Sequence, residues 1–253
     1  MFSLSFILTG NLIELPHEII LMNQRKFISP IDKILIRKTE IDLPIVESNQ
    51  KISKNIFQTH KDKTNMQEEY IQNLKKMNQG WKYQFYDDSD CIDFLYKHYG
   101  IFFVEKFKSF KNGAHKSDLW RLCVLYKYGG CYLDADILLY ESLNSIKSND
   151  NLIIPITDNY LIPTTYNAFI ISNTGNEIIG DCIKNIMKVE QKDLDNDYCL
   201  ILRVMHSVLE KYKYKYFLKE KLFSKLSVSS KNYYLVDSTG KKIGKSKRED
   251  YIK

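Results

Sequence analysis

Residues 114–140 read AHKSDLWRLCVLYKYGGCYLDADILLY, and this stretch decides the fold. Its first part, 114–128, has helical spacing and stops at Gly129 and Gly130, because glycine lets the backbone leave a helix sharply. Residues 131–140 then predict a strand pair or one bent strand. A helix that runs directly into a strand favours an α/β sheet, whose ligands usually bind beyond the carboxyl ends of the strands.

One face of the predicted helix is polar. Ala114, Asp118, Arg121 and Leu125 follow one another at helical spacing, so they share this face. A surface ion pair between Asp118 and Arg121 would explain the pattern and would contribute little to stability. The functional interpretation is that this carboxylate and this guanidinium line a polar site.

The following strand carries two acidic residues, Asp134 and Asp136. Alternate residues of a strand lie on one face, so both carboxylates are expected to point together, while Leu133, Ala135 and Ile137 face the core. The two like charges repel each other, and a cation between or beside them relieves the repulsion. Mg²⁺ and Mn²⁺ suit such oxygen ligands. The alternative is a half-exposed strand with a polar outer face, because a lone Asp-x-Asp often occurs by chance.

The three motifs together are more specific than any one of them. A helix with Ser-Asp-x-x-Arg and Leu-Tyr-x-x-Gly-Gly, followed at once by Tyr-Leu-Asp-x-Asp, resembles a DXD-containing sugar-transferase family. This family includes the initiating α-1,6-mannosyltransferases and the glucosylating domains of clostridial toxins. The matching positions are Asp118, Arg121, Leu125, Tyr126, Gly129, Gly130, Tyr132, Leu133, Asp134 and Asp136.

Further segments match the family in the correct order, so the resemblance covers about residues 51–190. Residues 54–61 (KNIFQTHK) are similar to its opening strand, 81–88 (WKYQFYDD) to its second strand and 167–172 (NAFIIS) to a later one. The chain departs from the family at His60, where tryptophan is usual, and at Phe57, where histidine is common. It also has no Gly-Pro pair.

The resemblance implies a GT-A fold, in which a Rossmann-like nucleotide-binding sheet is flanked by helices and small accessory N- and C-terminal elements. It implies a metal-dependent, retaining glycosyltransferase that uses Mn²⁺ or Mg²⁺. The donor would be a UDP-sugar, or GDP-mannose, carrying a hexose or an N-acetylhexosamine. A glycan, a lipid-linked sugar and a protein side chain remain open as acceptors.

The family also implies roles for four catalytic residues. Asp136 would bind the metal directly, and Asp134 would bind ribose or sugar hydroxyls and also the metal through water. Asp118 would hydrogen-bond sugar hydroxyls, and Arg121 would support the sugar or the diphosphate. His206 is a further candidate for the metal, and its alternative is a histidine that only packs a helix.

The expected donor site adds residues from other elements. The strand end 57–59 would cradle the base, and Asn167 would face the sugar or the acceptor. The full donor-binding set is Phe57, Gln58, Thr59, Asp118, Arg121, Tyr132, Asp134 and Asn167.

The remaining elements are predicted from periodicity. Expected strands are 52–59, 81–86, 152–156 and 168–172, and expected helices are 65–77, 88–98, 101–110, 177–189 and 195–212. Residues 1–50 are expected to be an N-terminal extension that packs on a catalytic domain at 51–253.

The charge of the chain is concentrated at its end. Residues 211–253 contain 13 basic and 4 acidic residues, although the whole chain carries only +6. Such a region suits phosphates, an anionic membrane surface or nucleic acid, and its alternative is a solvated lysine-rich face. The Lys-Tyr alternation at 211–216 would suit single-stranded nucleic acid, and a strand with one lysine face and one tyrosine face explains it equally well. One competing function is therefore a basic protein that binds nucleic acid or a membrane surface and has a degenerate GT-A domain.

A second competing function is a haloacid-dehalogenase-type phosphatase, because 134–138 (DADIL) partly resembles its nucleophile loop. That loop normally lies near the start of a domain and contains a threonine. The segment 134–138 lies in the middle of the chain and has no threonine. Five cysteines without a CxxC pair indicate reduced thiols. The apolar start, 1–8, is too short to span a membrane and lacks the features of a signal peptide, so a cytoplasmic protein is expected.

Overall fold

The computed structural model describes residues 29–61, 68–146, 151–157, 164–216, 218–223 and 232–246, and these contain ten strands and eight α-helices. The strands are β1 (Asn55–Thr59), β2 (Lys82–Tyr86), β3 (Gly130–Leu133), β4 (Ile137–Leu139), β5 (Leu152–Ile153), β6 (Ile156–Thr157), β7 (Phe169–Ser172), β8 (Leu218–Phe223), β9 (Asn232–Asp237) and β10 (Lys242–Ser246). The helices are α1 (Pro30–Leu35), α2 (Glu68–Met77), α3 (Asp88–Tyr99), α4 (Ile101–Ser109), α5 (Gly113–Tyr128), α6 (Glu177–Ile186), α7 (Gln191–Asn196) and α8 (Leu200–Lys211).

The first sheet brings two strand ends to one edge. Its strand order is β2-β1-β3-β7-β5, with β1 parallel to both β2 and β3 and with β7 antiparallel to β3. Thr59 ends β1 and Asp134 follows β3, so both lie at the carboxyl edge of these parallel strands. The predicted α/β class is confirmed, and this edge is where such sheets usually bind ligands.

The second sheet joins the middle of the chain to its end. Its order is β4-β10-β9-β8-β6, so β4, which lies only three residues beyond β3, pairs with β10 about a hundred residues later. The predicted strand pair at 131–140 is therefore two strands that belong to different sheets.

Alternate residues of the first sheet enter two different cores. Phe57 and Tyr132 are buried in the core formed with the helices. Ile56, Cys131 and Leu133 are buried in a second core, which also contains apolar residues of β4, β9 and β10. The sheet is apolar on both faces because helices cover one face and the second sheet covers the other.

The predicted helix at 195–212 is interrupted. The structure has α7 and α8 in this region, and residues 197–199 separate them. The Asp197 carboxylate accepts a hydrogen bond from the Cys199 backbone nitrogen at 3.0 Å and forms an ion pair with Arg203. Local side chain–backbone bonding of this kind competes with the helix, so the helix is interrupted although the apolar periodicity that suggested one helix continues.

The described part of the expected N-terminal extension, 29–50, packs on the helical side of the sheet. Ile34 is buried in the helical core. Arg37 makes two hydrogen bonds to Asp193, at 2.6 and 2.9 Å. The boundary at residue 50 stays a prediction, as does the role of the residues before 29, which lie outside the described ranges.

The tyrosines of the Lys-Tyr alternation are bound to the protein. The Tyr212 hydroxyl donates to Asp181 at 2.8 Å, and the Tyr214 hydroxyl accepts from the backbone nitrogen of Ile154 at 2.8 Å. The Tyr216 hydroxyl lies 2.7 Å from Nδ1 of His206. These half-buried rings pack on the helical core, which disfavours a stacking platform for single-stranded nucleic acid, and residues 211–216 form no strand.

The cysteines agree with the expectation of reduced thiols. All five are free, and Cys91, Cys123, Cys131 and Cys182 are buried while Cys199 is exposed. In the parts of the chain that the structure describes, none of the helices combines the length and the apolar character needed to cross a membrane.

The close packing of β3 against β1 at Gly130 can be tested by substitution. Its φ is +115°, and a Cβ added there would lie 2.5 Å from the backbone oxygen of Asn55. Gly130→Ala should therefore lower the free energy of unfolding by about 2 kcal/mol or more. Gly113→Ala is the matched control, because an added Cβ there meets nothing within 4 Å. Denaturant unfolding of both variants is the measurement, and equal stabilities would contradict this packing.

Candidate active site

The two acidic residues lie in a turn and not in a strand. β3 ends at Leu133, and the backbone nitrogen of Ile137 donates to the oxygen of Asp134 at 3.1 Å, which closes a turn over 134–137. The expected strand alternation of Asp134 and Asp136 is thus wrong, because the chain leaves one sheet here and enters the other. Leu133 and Ile137 are buried as predicted, whereas Ala135 is half-buried.

Neighbouring strands hold the backbone of this turn. The Asp134 nitrogen donates to the oxygen of Ala168 at 2.8 Å, and Nε2 of Gln58 donates to the oxygen of Asp134 at 3.2 Å. Oε1 of Gln58 in turn accepts from the Tyr83 hydroxyl at 2.9 Å. The turn therefore has a fixed position at the carboxyl edge of β1 and β3.

Arg121 joins the helix to the turn. Its Nη2 lies 3.2 Å from Oδ1 of Asp118 and 3.3 Å from Oδ1 of Asp134, and its side chain is only 4% exposed. Nη1 donates to the backbone oxygen of Asn167 at 2.8 Å, and Nε donates to the backbone oxygen of Ser117 at 3.1 Å. The surface ion pair considered for Asp118 and Arg121 is thereby excluded, because both side chains are buried.

Tyr132 and Ser117 close a ring of hydrogen bonds with Arg121 and Asp134. The Tyr132 hydroxyl donates to Oδ1 of Asp134 at 2.6 Å. The Tyr132 hydroxyl proton is used in that bond, so in its contact with Ser117 the Tyr132 oxygen is the acceptor. The Ser117 hydroxyl donates to it across 2.9 Å between the two oxygens. Nη2 of Arg121 donates to Oγ of Ser117 at 2.9 Å, and its guanidinium lies 4.5 Å from the centre of the Tyr132 ring. A single set of side chains thus fixes the first acidic residue of the turn.

Asn167 holds the other acidic residue of the cluster. Its Nδ2 donates to Oδ1 of Asp118 at 2.9 Å, and both side chains are buried. Among the described residues, no hydrogen bond is found to Oδ2 of Asp118. The structure therefore brings Asp118, Arg121, Tyr132, Asp134 and Asn167 together, as the sequence predicted.

Burial and charge act against each other in this cluster. Burial raises the pKa of Asp118, while the charge of Arg121 and the hydrogen bond from Asn167 oppose the rise. Burial alone would lower the pKa of Arg121, but Asp134, Tyr132 and Asp118 raise it above its ordinary value. Burial also raises the pKa of Tyr132 far enough to keep its phenol protonated. Arg121 therefore stays cationic and interacts favourably with both acidic side chains.

The structure corrects the expectation for Phe57. Its side chain is completely buried and packs against Tyr86 and Tyr128 in the helical core, so it does not reach a bound base. Thr59 is half-buried at the strand end, and its hydroxyl donates to the backbone oxygen of Tyr86 at 2.8 Å. Strand alternation explains the difference, because Phe57 and Gln58 lie on opposite faces of β1.

His206 has partners of its own. Its Nδ1 lies 2.7 Å from the Tyr216 hydroxyl, and its Nε2 lies 3.5 Å from Oε1 of Glu210 on the same helix. Its ring also stacks on the ring of Tyr216 at 5.9 Å. These contacts favour the helix-packing interpretation over a metal ligand.

Sequence reasoning missed Ser117 and the structural role of Gln58. Ser117 is the first residue of the Ser-Asp-x-x-Arg motif, but the motif alone assigned it no role. It could have been found only through its position four residues before Arg121, which places the two side chains together on a helix.

The turn carries oxygen ligands of the type that divalent cations prefer. The Asp134 side chain is 34% exposed and Asp136 is half-buried, so neither acidic residue of the turn is enclosed in the core. Within the described residues, no cluster of three or more His, Cys, Asp or Glu side chains could hold a metal alone. Mg²⁺ and Mn²⁺ are commonly bound by one or two carboxylates together with substrate phosphates and water, so the residues present fit such an ion.

Comparison with known proteins supports the family resemblance seen in the sequence. Residues 42–153 match the model of a family described as the glycosyltransferase sugar-binding region containing the DXD motif. The resemblance found in the sequence is confirmed. The matched segment contains α5 and the turn with Asp134 and Asp136, and it favours a glycosyltransferase over the phosphatase alternative.

Two curated relatives carry related names. The chain is 30% identical over 79 residues to inositol phosphoceramide mannosyltransferase 1 of Schizosaccharomyces pombe, covering 31% of this chain and 24% of the relative. It is 32% identical over 74 residues to an uncharacterized glycosyltransferase of Acanthamoeba polyphaga mimivirus, covering 29% of this chain and 30% of the relative. The chain thus matches less than a third of the length of either protein.

A solved structure, the PaToxG glycosyltransferase, is similar over a longer range. The similarity covers 78% of this chain and 77% of that chain, with 18% sequence identity and a TM-score of 0.44.

Arg121 should be essential for stability. Arg121→Ala leaves Asp118 buried without its counter-charge, so the free energy of unfolding should fall by about 3 kcal/mol or more. The matched control is Lys111→Ala, because the Lys111–Asp195 pair is exposed (71% and 50%). Its loss should cost less than about 1 kcal/mol. Urea unfolding distinguishes the two, and an equally small loss for Arg121→Ala would restore the surface-pair interpretation.

Proposed function

We propose that the chain is a metal-dependent, retaining glycosyltransferase that moves a hexose or an N-acetylhexosamine from a nucleotide-sugar donor to a glycan, lipid-linked or protein acceptor. One observation carries the proposal. The Asp134–Asp136 turn lies at the carboxyl edge of two parallel strands, inside the segment that matches the sugar-transferase family, and the Arg121 network holds it there. Open α/β sheets bind their ligands at this edge.

In the proposed reaction, the bond between the anomeric carbon and a phosphate oxygen breaks, and the nucleoside diphosphate leaves with its electron pair. A bond from this carbon to an acceptor oxygen forms, and the proton of the acceptor hydroxyl passes to the leaving diphosphate. Mn²⁺ or Mg²⁺, held by Asp136 and by Asp134 through water, would supply Lewis-acid stabilisation of the charge that grows on the leaving diphosphate. Oδ2 of Asp118 would accept a hydrogen bond from a sugar hydroxyl.

Arg121 has a different role in this proposal from the direct diphosphate contact expected from the family. Its Nε, Nη1 and Nη2 are each bonded to protein groups, and its side chain is almost completely buried. We infer that it acts mainly by orienting Asp118 and Asp134 before the substrate arrives. Such preorganised charges account for a large share of the rate enhancement in many enzymes.

The first experiment identifies which nucleotide sugar the protein binds. UDP-sugars and GDP-mannose are the two classes to test, and the name of the yeast relative makes mannose a sugar of particular interest. Isothermal titration calorimetry with UDP-glucose, UDP-N-acetylglucosamine and GDP-mannose should detect binding by at least one of them, with Mn²⁺ required. Binding and turnover that persist in excess chelator would overturn the metal dependence.

Asp136→Asn tests the proposed metal ligand. The substitution removes a charge without changing the volume, so donor turnover should fall at least about a hundredfold while the unfolding free energy stays nearly constant. Asp195→Asn is the matched control, because Asp195 is an exposed residue of α7. Donor hydrolysis measured with and without Mn²⁺ is the readout, and unchanged Mn²⁺-dependent turnover of Asp136→Asn would refute the assignment.

The competing function of a basic binding protein makes a different prediction. A basic surface that binds nucleic acid or anionic membranes through 211–253 would show steep salt dependence without nucleotide-sugar turnover. The exposed Lys213 and Lys215 leave the membrane surface open as an additional partner.

A further inference from the structure

The break between α7 and α8 places an aromatic residue against the start of α5, the helix that carries Asp118 and Arg121. Residues 197–199 form this break, and Tyr198 within it is 58% exposed. The break is held by the Asp197 side chain, which is bonded to the backbone of Cys199 and paired with Arg203. These contacts fix the backbone on both sides of Tyr198, so the position of its exposed ring is defined.

His115 ties Tyr198 to the helix that carries the cluster. Nε2 of His115 lies 3.0 Å from the backbone oxygen of Tyr198, and because a carbonyl only accepts, the ring nitrogen is the donor. The two rings also pack at 4.8 Å between their centres. His115 is 3% exposed, and its Nδ1 is buried without a hydrogen-bond partner among the described residues. It precedes Asp118 by three residues, so it lies about one helical turn away on α5.

The pKa of the Tyr198 phenol responds to groups at the start of α5 and to the acidic groups of the site. Burial raises its pKa, and the charges of Asp118 and Asp134 contribute to the rise, while a hydrogen bond with the Asn112 side chain lowers it. Asn112 caps the first turn of α5, where its side chain accepts from the nitrogen of Ala114 at 2.8 Å. The backbone of Tyr198 is therefore anchored to His115, and its exposed ring packs on the ring of His115 about one helical turn before Asp118 on α5.

We propose that Tyr198 forms a sugar-stacking subsite at the border of the carboxylate cluster, where its ring packs on a pyranose ring of the donor or the acceptor, and that His115 is the positioning residue that holds it there. This inference rests on the proposed function. A tyrosine ring combines a large apolar face with a polar hydroxyl, and it loses little conformational freedom on binding. The C–H face of a pyranose suits the ring, and its hydroxyls suit the neighbouring carboxylates.

The test compares Tyr198→Ala and Tyr198→Phe with the wild-type protein. Tyr96→Ala is the control, because Tyr96 is 64% exposed on α3. Calorimetry with Mn²⁺ gives Kd for UDP, GDP, UDP-glucose, UDP-N-acetylglucosamine and GDP-mannose, and steady-state transfer to methyl glucoside and methyl mannoside gives the acceptor KM. Denaturant unfolding shows that each variant is folded.

Tyr198→Ala should raise either the Kd of the bound nucleotide sugar or the KM of the acceptor by about five- to tenfold, the range of one aromatic contact. It should leave the Kd of the bare nucleoside diphosphate within about twofold, and Tyr198→Phe should retain most of the affinity, because the stacking face remains. A change in Kd assigns the subsite to the donor sugar, and a change in KM assigns it to the acceptor.

Three results would overturn the inference. If neither constant changes, Tyr198 has no sugar contact although the proposed function stands. If the affinity for the nucleoside diphosphate falls equally, its role is general and not sugar-specific. If the wild-type protein binds no nucleotide sugar, both the inference and the proposed function fail.

His115 is tested by rescue. His115→Phe keeps the ring packing but removes the hydrogen bond to Tyr198, so it should reproduce part of the Tyr198→Ala effect on the same constant. His115→Gln retains a donor and should restore it. In a Tyr198→Ala background, His115→Phe should add nothing further, since the two residues act as a unit. An additive loss would overturn the positioning role.

Discussion

The buried charge of Arg121 is the constraint on which the site depends. Its guanidinium faces Asp118 and Asp134 and donates to Ser117, and through Ser117 and Tyr132 the hydrogen bonds return to Asp134. A buried charge costs free energy unless it is paired and fully hydrogen-bonded, so these partners must stay in place together. A substrate therefore meets carboxylates whose positions are already fixed, which is how preorganised electrostatic sites act.

The topology explains why this network can form at all. β3 is parallel to β1 and antiparallel to β7, so Gln58, the 134–137 turn and Asn167 meet at one edge although they are far apart in the chain. The turn then passes into β4, which pairs with β10. Sheet pairing from both sides holds the backbone, while α5 supplies the side chains from the helical layer.

Local signals in the sequence predicted part of this arrangement. The period of 114–128 and the glycines that follow it identified α5, its end and the shared face of Asp118 and Arg121, whereas the family resemblance indicated that Asp134 belongs to the same site. The 134–137 turn was not predictable, because it depends on the pairing of β4 with the distant β10. Phe57 was misjudged since its facing direction follows from the sheet, and the break at Tyr198 was hidden because the apolar periodicity continues through it.

The central claim is that the Asp134–Asp136 turn, held by Arg121 and Tyr132, receives the diphosphate of a nucleotide sugar. A crystal structure of the wild-type protein with UDP or GDP and Mn²⁺ tests it most directly. The account predicts the metal and the diphosphate at this turn, with the Tyr132–Asp134 and Arg121–Asp118 contacts preserved. A nucleotide bound elsewhere, such as the pocket lined by Ile52, Trp81 and Asn144, with no metal at the turn, would contradict it.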